Sequence, residues 1–194
     1  MRISECSVVD HTLQHLLRNG AKEVLTVSEA HHDESAQPEG MTIVAWSGDL
    51  DRIWPTLILG STGAAYGMDT TIFFTFWGLF PLVRDDVRIT GTNAMNKALA
   101  GVNRPGMSGM KLSKLHMAGA GAWMMNKIAK DQDMSSPKEL IEMCVELGVK
   151  LWPCEMTMDL MGIRPDQFID GVGEPVGAAT ALSAMSRSKI NLFI

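Results

Sequence analysis

This chain has few cysteines, no block of basic residues and no apolar run long enough to cross a bilayer. Its three cysteines, Cys6, Cys144 and Cys154, are an odd number at irregular spacing. That pattern argues against a disulfide framework or a paired CxxC metal or redox motif, and points to a reducing compartment. The formal net charge is -5, and no Lys/Arg cluster supplies the footprint that phosphate backbones require, so a nucleic-acid partner is not expected. The strongly apolar stretch Thr71 to Val83, TIFFTFWGLFPLV, covers 13 residues and contains Gly78 and Pro81. It falls short of the roughly 20 residues of a membrane span. The opening MRISECSVVDHTLQ lacks the basic-then-apolar pattern of a secretory signal, so a cytoplasmic protein with no membrane span is expected.

Other absences remove cofactor chemistry. No GxGxxG or GK[ST] motif is present, and Gly60, Gly63 and Gly67 in GSTGAAYG fall inside a predicted helix, where they serve close packing rather than phosphate binding. His11 and His15 have the i, i+4 spacing that puts two imidazoles on one helical face, with His31, His32 and Asp33 beyond them. HTLQH nevertheless lacks the glutamate of a zinc-hydrolase helix, and no third and fourth ligands can be assigned. A solvated helix face and linker is the reading. Neither a metal nor a cofactor is expected.

What remains is a composition suited to one packed domain: 46% hydrophobic and 20% charged over 194 residues. Residues 1–40 hold four of the five histidines and end in the polar stretch HHDESAQPEG, reading as an N-terminal extension and linker, with residues 41–194 as the domain. Met41 to Trp46 predicts a buried strand, with Ser47-Gly48-Asp49 as a turn carrying cap-forming side chains. A helix follows on the face Leu50, Ile53, Trp54, Leu57, Ile58 and Ser61, in which Pro55 should introduce a kink or delay the start. Thr71 to Phe76 predicts a second strand ended by Phe76-Trp77-Gly78. Gly101 to Lys114 has three glycines, a proline and no period, and is expected to be the mobile loop, a candidate gate. Leu115 to Lys130 is predicted helical.

Ser135-Ser136-Pro137 followed by KELIEMCVELG has a capping serine, a proline at the first helical position and Gly148 as its stop, the clearest helix in the chain. Val149 to Trp152 predicts a short strand ended at Cys154, and Met156 to Met161 the first turns of another helix. Pro175 to Ala179 and Ile190 to Ile194 are further candidate strands. Alternating strands and helices imply a doubly wound α/β sheet, mostly parallel, with helices on both faces. Ligands of such sheets bind beyond the carboxyl ends of the strands. Three segments should reach that rim: Ser47-Gly48-Asp49, Phe76-Trp77-Gly78 and Cys154-Glu155.

Cys154 therefore stands where a strand ends and a helix begins, facing unpaired amides and the positive end of a helix dipole. That position favours a thiolate, the form that attacks sulfur electrophiles and can hold a persulfide. A small buried apolar residue is the alternative, and position does not choose between them. Cys144 shares a helix face with Leu140, Ile141 and Leu147, so its thiol is expected in the core. Asp49 reads as a helix cap, and Glu155 and Asp49 are candidate acid/base neighbours of the thiol that must point away if it is ionised. Trp77 is a candidate pocket wall. Met107, Met110, Met124 and Met125 suit either a soft binding surface or gap-filling in the core.

The residues around Cys154 also resemble a known family. CEMTMDLMGI with VKLWP before it, AWSGDLDR, GAAYGMDTTIFFTFWGL and LSKLHMAGAGAWMMNK follow in order the pattern of the DsrE/DsrF-like sulfur carriers across most of residues 41–180. The resemblance implies a flavodoxin-like fold, usually in homo-oligomers. It also implies a sulfur-carrying transferase role. Cys154 would take sulfane or thiosulfonate sulfur from thiosulfate, tetrathionate or polysulfide and pass it to TusA-type or rhodanese-type partners. Pro55 and Pro153 depart from that pattern. Readings from other classes are a non-catalytic assembly subunit and a thiol redox sensor pairing Cys154 with Cys144.

Overall fold

A computed structural model describes residues 39–87, 106–114 and 117–194, within Pro38–Ile194, the second of the two units into which the chain divides. Four strands, β1 (Gly40–Ala45), β2 (Asp69–Phe74), β3 (Lys150–Pro153) and β4 (Ser188–Phe193), form a sheet in the order β3-β2-β1-β4. Every pairing is parallel. Parallel neighbours need crossovers, and the crossovers are helices: α1 (Leu50–Ala65), α2 (Ala120–Asp131), α3 (Pro137–Glu146), α4 (Glu155–Met161) and α5 (Ala178–Arg187). The doubly wound α/β expectation is met.

Strand alternation divides the core between the two faces. Met41, Ile43, Ala45, Ile72, Phe74 and Leu151 point to one side, where they pack with Leu50, Ile53 and Leu57 of α1 and Leu140, Ile141 and Cys144 of α3. Val44 and Phe73 point to the other, where Ala181 of α5 covers them beside Cys154. Thus α1 and α3 share one face and α5 lies on the opposite one.

Pro55 sits inside α1, which nevertheless runs unbroken from Leu50 to Ala65. Only one helical N–H is lost, and the buried stripe of Leu50, Ile53, Trp54, Leu57, Gly60 and Ser61 holds the helix on the sheet. The Trp54 indole N–H adds a bond to the Ser135 carbonyl, 3.0 Å away, just before α3. Gly60 and Gly63 let α1 approach Ile72 and Met41 closely, whereas Gly67 lies beyond the helix in a left-handed turn, φ +84°.

Other boundaries moved. β2 ends at Phe74, and Phe76–Leu82 coils into a 3₁₀ segment instead of closing a strand. α2 begins at Ala120 because Met117, Ala118 and Gly119 adopt positive φ. Around Val176 the predicted strand reduces to one bridge with Cys154, since α5 starts at Ala178 and takes the residues that would have extended it. β4 starts at Ser188, before the predicted Ile190. Leu147 is exposed at the end of α3 rather than on its buried face. The histidine motif, Cys6 and residues 88–105 lie outside the described residues.

Candidate functional site

The loops after β1 and β2 meet over the carboxyl edge of the sheet. Gly48 lies against the Trp77 carbonyl and Gly78 against the Ala45 carbonyl, so close that a Cβ on either would sit 2.4 Å and 2.2 Å from the oxygen. Amides complete the lock: Thr75 N–H donates to Ala45 at 2.9 Å and Gly78 N–H to Trp46 at 3.1 Å. Asp49 occupies the N-cap position of α1 without capping it; its carboxylate accepts the Ser47 hydroxyl at 3.1 Å. The first amide of α1, Leu50 N–H, donates to the Lys111 carbonyl at 2.7 Å.

Ser47, Gly48, Asp49 and Trp77 line one cavity of about 340 Å³, with Phe80 stacked on Trp77 and Gly109, Met110 and Lys111 opposite. The described part of the candidate gate, residues 106–114, is fastened. Gly106 N–H donates to Phe80, Ser108 donates twice to the Asp85 carboxylate, and Ser113 donates amide and hydroxyl to Asp51. Partial burial pushes the Asp51 carboxyl up, and the Ser113 bonds outweigh it and hold the group below its ordinary range. Met107 and Met110 pack against the core, while Met124 and Met125 are exposed.

Cys154 and Glu155 do not line that cavity. Cys154 extends β3 past Pro153: its N–H donates to Phe74 at 2.9 Å, its carbonyl accepts from Met158, and on its other side it bridges to Val176. Pro153 is tolerated because β3 is an edge strand of this sheet. Cys154 is the N-cap residue of α4 but makes no side-chain cap bond, and α4 is only 7 residues long, so the dipole anticipated there is short. The residue is 6% exposed, set among Val44, Phe73 and Ala181 with Trp152, Val176 and Met185 around them. Strand alternation turns it onto the α5 face. The side chain is nearly buried because Val44 of β1, Phe73 of β2 and Ala181 of α5 pack with it in one cluster, a matter that its position in the chain left open. Glu155 is exposed, and its amide donates to Val176 at 3.1 Å.

Cys144 sits fully buried on the opposite face, its S–H directed at the Leu57 carbonyl 3.6 Å away. Burial pushes its pKa up to about 12, so it is a protonated core residue, as its helix face implied. The sheet separates the two thiols.

One participant was not anticipated. Thr157, 3% exposed, accepts the Phe76 N–H at 3.1 Å and pairs with the Thr75 hydroxyl at 3.1 Å, tying α4 to the end of β2. Its signal is legible: Cys154, Thr157, Met158 and Met161 have i, i+3, i+4, i+7 spacing, and a hydroxyl on an apolar helix stripe needs a partner. Among the described residues no group of His, Cys, Asp and Glu could hold a metal, and no helix is long and apolar enough to cross a membrane.

A parallel sheet in the order β3-β2-β1-β4 with helices on both faces places the chain in the flavodoxin-like class of α/β proteins. Within it, the chain belongs to the DsrE/DsrF/DrsH-like family, whose model matches residues 37–193. It is 35% identical over 158 residues to the uncharacterized protein YrkE of Bacillus subtilis, covering 81% of this chain and 98% of that protein. It is also 35% identical over 165 residues to the sulfur carrier protein DsrE2 of Allochromatium vinosum, covering 79% of this chain and 97% of that protein.

Proposed function

We propose that the protein is a sulfur carrier whose carrying atom is Cys154 Sγ. The observation that supports this most is the position of Cys154 at the strand end where parallel sheets present their ligands, in a chain of this family with a relative named as a sulfur carrier. Cys154 packs in an apolar cluster with Val44, Phe73 and Ala181, beside Trp152, Val176 and Met185, surroundings suited to a persulfide that must be kept from water and reductants.

In the first step the Cys154 thiolate attacks the sulfane sulfur of a donor. A new S–S bond forms, the donor S–S bond breaks, and its electron pair leaves with the remainder: a shortened polysulfide, sulfite from thiosulfate, or thiosulfate from tetrathionate. The adduct is a persulfide from polysulfide or thiosulfate and a thiosulfonate from tetrathionate; the acceptor's thiolate then attacks the transferred sulfur bonded to Sγ and Cys154 departs as thiolate, so no external oxidant is needed. The acceptor is a partner protein thiol of the TusA or rhodanese type, in the reducing cytoplasm. Exposed Phe193 and Ile190 on edge strand β4, and Trp123 and Met117 at α2, favour assembly into a homo-oligomer.

The 6% exposure of Cys154 favours a second reading, a non-catalytic assembly subunit. Native and peptide-resolved mass spectrometry after incubation with polysulfide, thiosulfate or tetrathionate separates the two and reads the oligomer in the same experiment. The carrier gains sulfur on Cys154, loses it to an acceptor protein, and loses the capacity in Cys154→Ser with the fold retained. An unmodified Cys154 under all three donors overturns the reading.

A further inference from the structure

Cys154 is held from two sides. Its backbone N–H is fixed to Phe74 by the sheet, while the turn that follows it is fixed through a side chain, Thr157, whose hydroxyl oxygen takes the Phe76 N–H and meets the Thr75 hydroxyl. Those two bonds are the polar contacts of a residue that is otherwise buried on the apolar side of α4. At the other end of the link, Phe76 holds φ +48°, a left-handed conformation that a phenylalanine adopts only when its surroundings impose it. Strain of this kind collects at functional sites. Phe76, two residues past β2, thus combines an unfavourable conformation with a bond to the helix that the candidate cysteine opens.

We propose that Thr157 is a positioning residue for Cys154: its hydroxyl locks the first turn of α4 to the strained segment after β2 and so fixes the direction in which the Cys154 side chain points. The inference rests on the sulfur-carrier reading. Without the hydroxyl, Phe76 loses a buried acceptor and relaxes toward negative φ, and the first turn of α4 is left with the Glu155 N–H bond to Val176 as its polar tie beside Cys154. The thiol then remains present but misdirected, and misplacement of a reacting atom by a fraction of an ångström to an ångström lowers a rate by roughly tenfold to a hundredfold.

The test compares the full chain with Thr157→Val and Thr157→Ser. Two rates are followed at Cys154 by peptide mass spectrometry: sulfur uptake from polysulfide, and alkylation by iodoacetamide as a function of pH. Wild type and Thr157→Ser are expected to load at similar rates, with Thr157→Val slower by roughly tenfold, its alkylation no slower and its pH profile displaced. A merely structural role would lower thermal stability in both variants and leave the pH profile in place. The proposal is overturned if Thr157→Val, folded by circular dichroism, loads as fast as wild type, or if Thr157→Ser falls as far as Thr157→Val. Should wild type take up no sulfur, the carrier reading fails by itself. Positioning is then decided by the alkylation profile: displaced only in Thr157→Val, it stands; coincident in all three proteins, it falls. If Thr157→Val does not fold, Thr75→Val removes one of the two partners and carries the same readouts, with a smaller displacement supporting the proposal and none overturning it.

Discussion

Gly78 shows how a single hydrogen in place of a methyl group shapes the rim. Its Cα faces the Ala45 carbonyl so closely that an added Cβ would lie 2.2 Å from the oxygen, and because the neighbour is backbone, no side chain can swing away. Gly78→Ala is expected to lower unfolding free energy by roughly 1–3 kcal/mol, the cost of overpacking, read as a displaced urea midpoint. An unchanged midpoint would show that the loops after β1 and β2 are not interlocked. In the sequence this glycine reads only as the end of a strand, since nothing in FWGLF says which carbonyl it must meet. Cys154 makes the same point from the other side. Its place at a strand end is legible from VKLWPCEM, whereas its near-burial in a cluster with Ala181, beside Met185, depends on residues 27 and 31 positions away.

Among the elements, α3 was the most legible because its signals are local. Ser136 accepts the Glu139 N–H, the Glu139 carboxylate accepts the Ser136 N–H at 2.7 Å, and Pro137 stands in the first turn, as SSPKE implies. The Ser136 amide and then its hydroxyl hold the Glu139 carboxyl below its ordinary value. A carboxyl depressed on folding contributes stability above its unfolded pKa and loses it as pH falls through the folded value. Glu139→Gln is therefore expected to flatten the acid limb of the stability–pH curve, and Ser136→Ala to cost about 1 kcal/mol at neutral pH. Denaturant titrations across the acidic range check both; parallel curves for wild type and Glu139→Gln would refute the assignment. α1 was less legible. Pro55 argues locally for a kink, yet tertiary contacts along its buried stripe keep the helix continuous.

For the molecule as a whole, the decisive fact is that the sheet stands between its two described thiols. Cys144 packs with α1 and α3, Cys154 with α5, and a disulfide needs Cα atoms within about 7 Å. A mild thiol oxidant is therefore expected to produce no Cys144–Cys154 link in the native protein and to produce one only after unfolding, as peptide mapping would show. A native link would restore the redox-sensor reading. The sequence by itself determined the parallel α/β class, the strand ends that form the rim, and Cys144 as a core residue, because periodicity and capping chemistry act between neighbours in the chain. Tertiary structure alone decided three things: that Ser47, Gly48, Asp49 and Trp77 gather round a cavity apart from Cys154, that Cys154 is buried in one cluster with Val44, Phe73 and Ala181, and that Thr157 bonds across to Phe76. Each depends on which strand lies beside which and on the face a helix crosses, and contacts between residues distant in sequence carry no local signal.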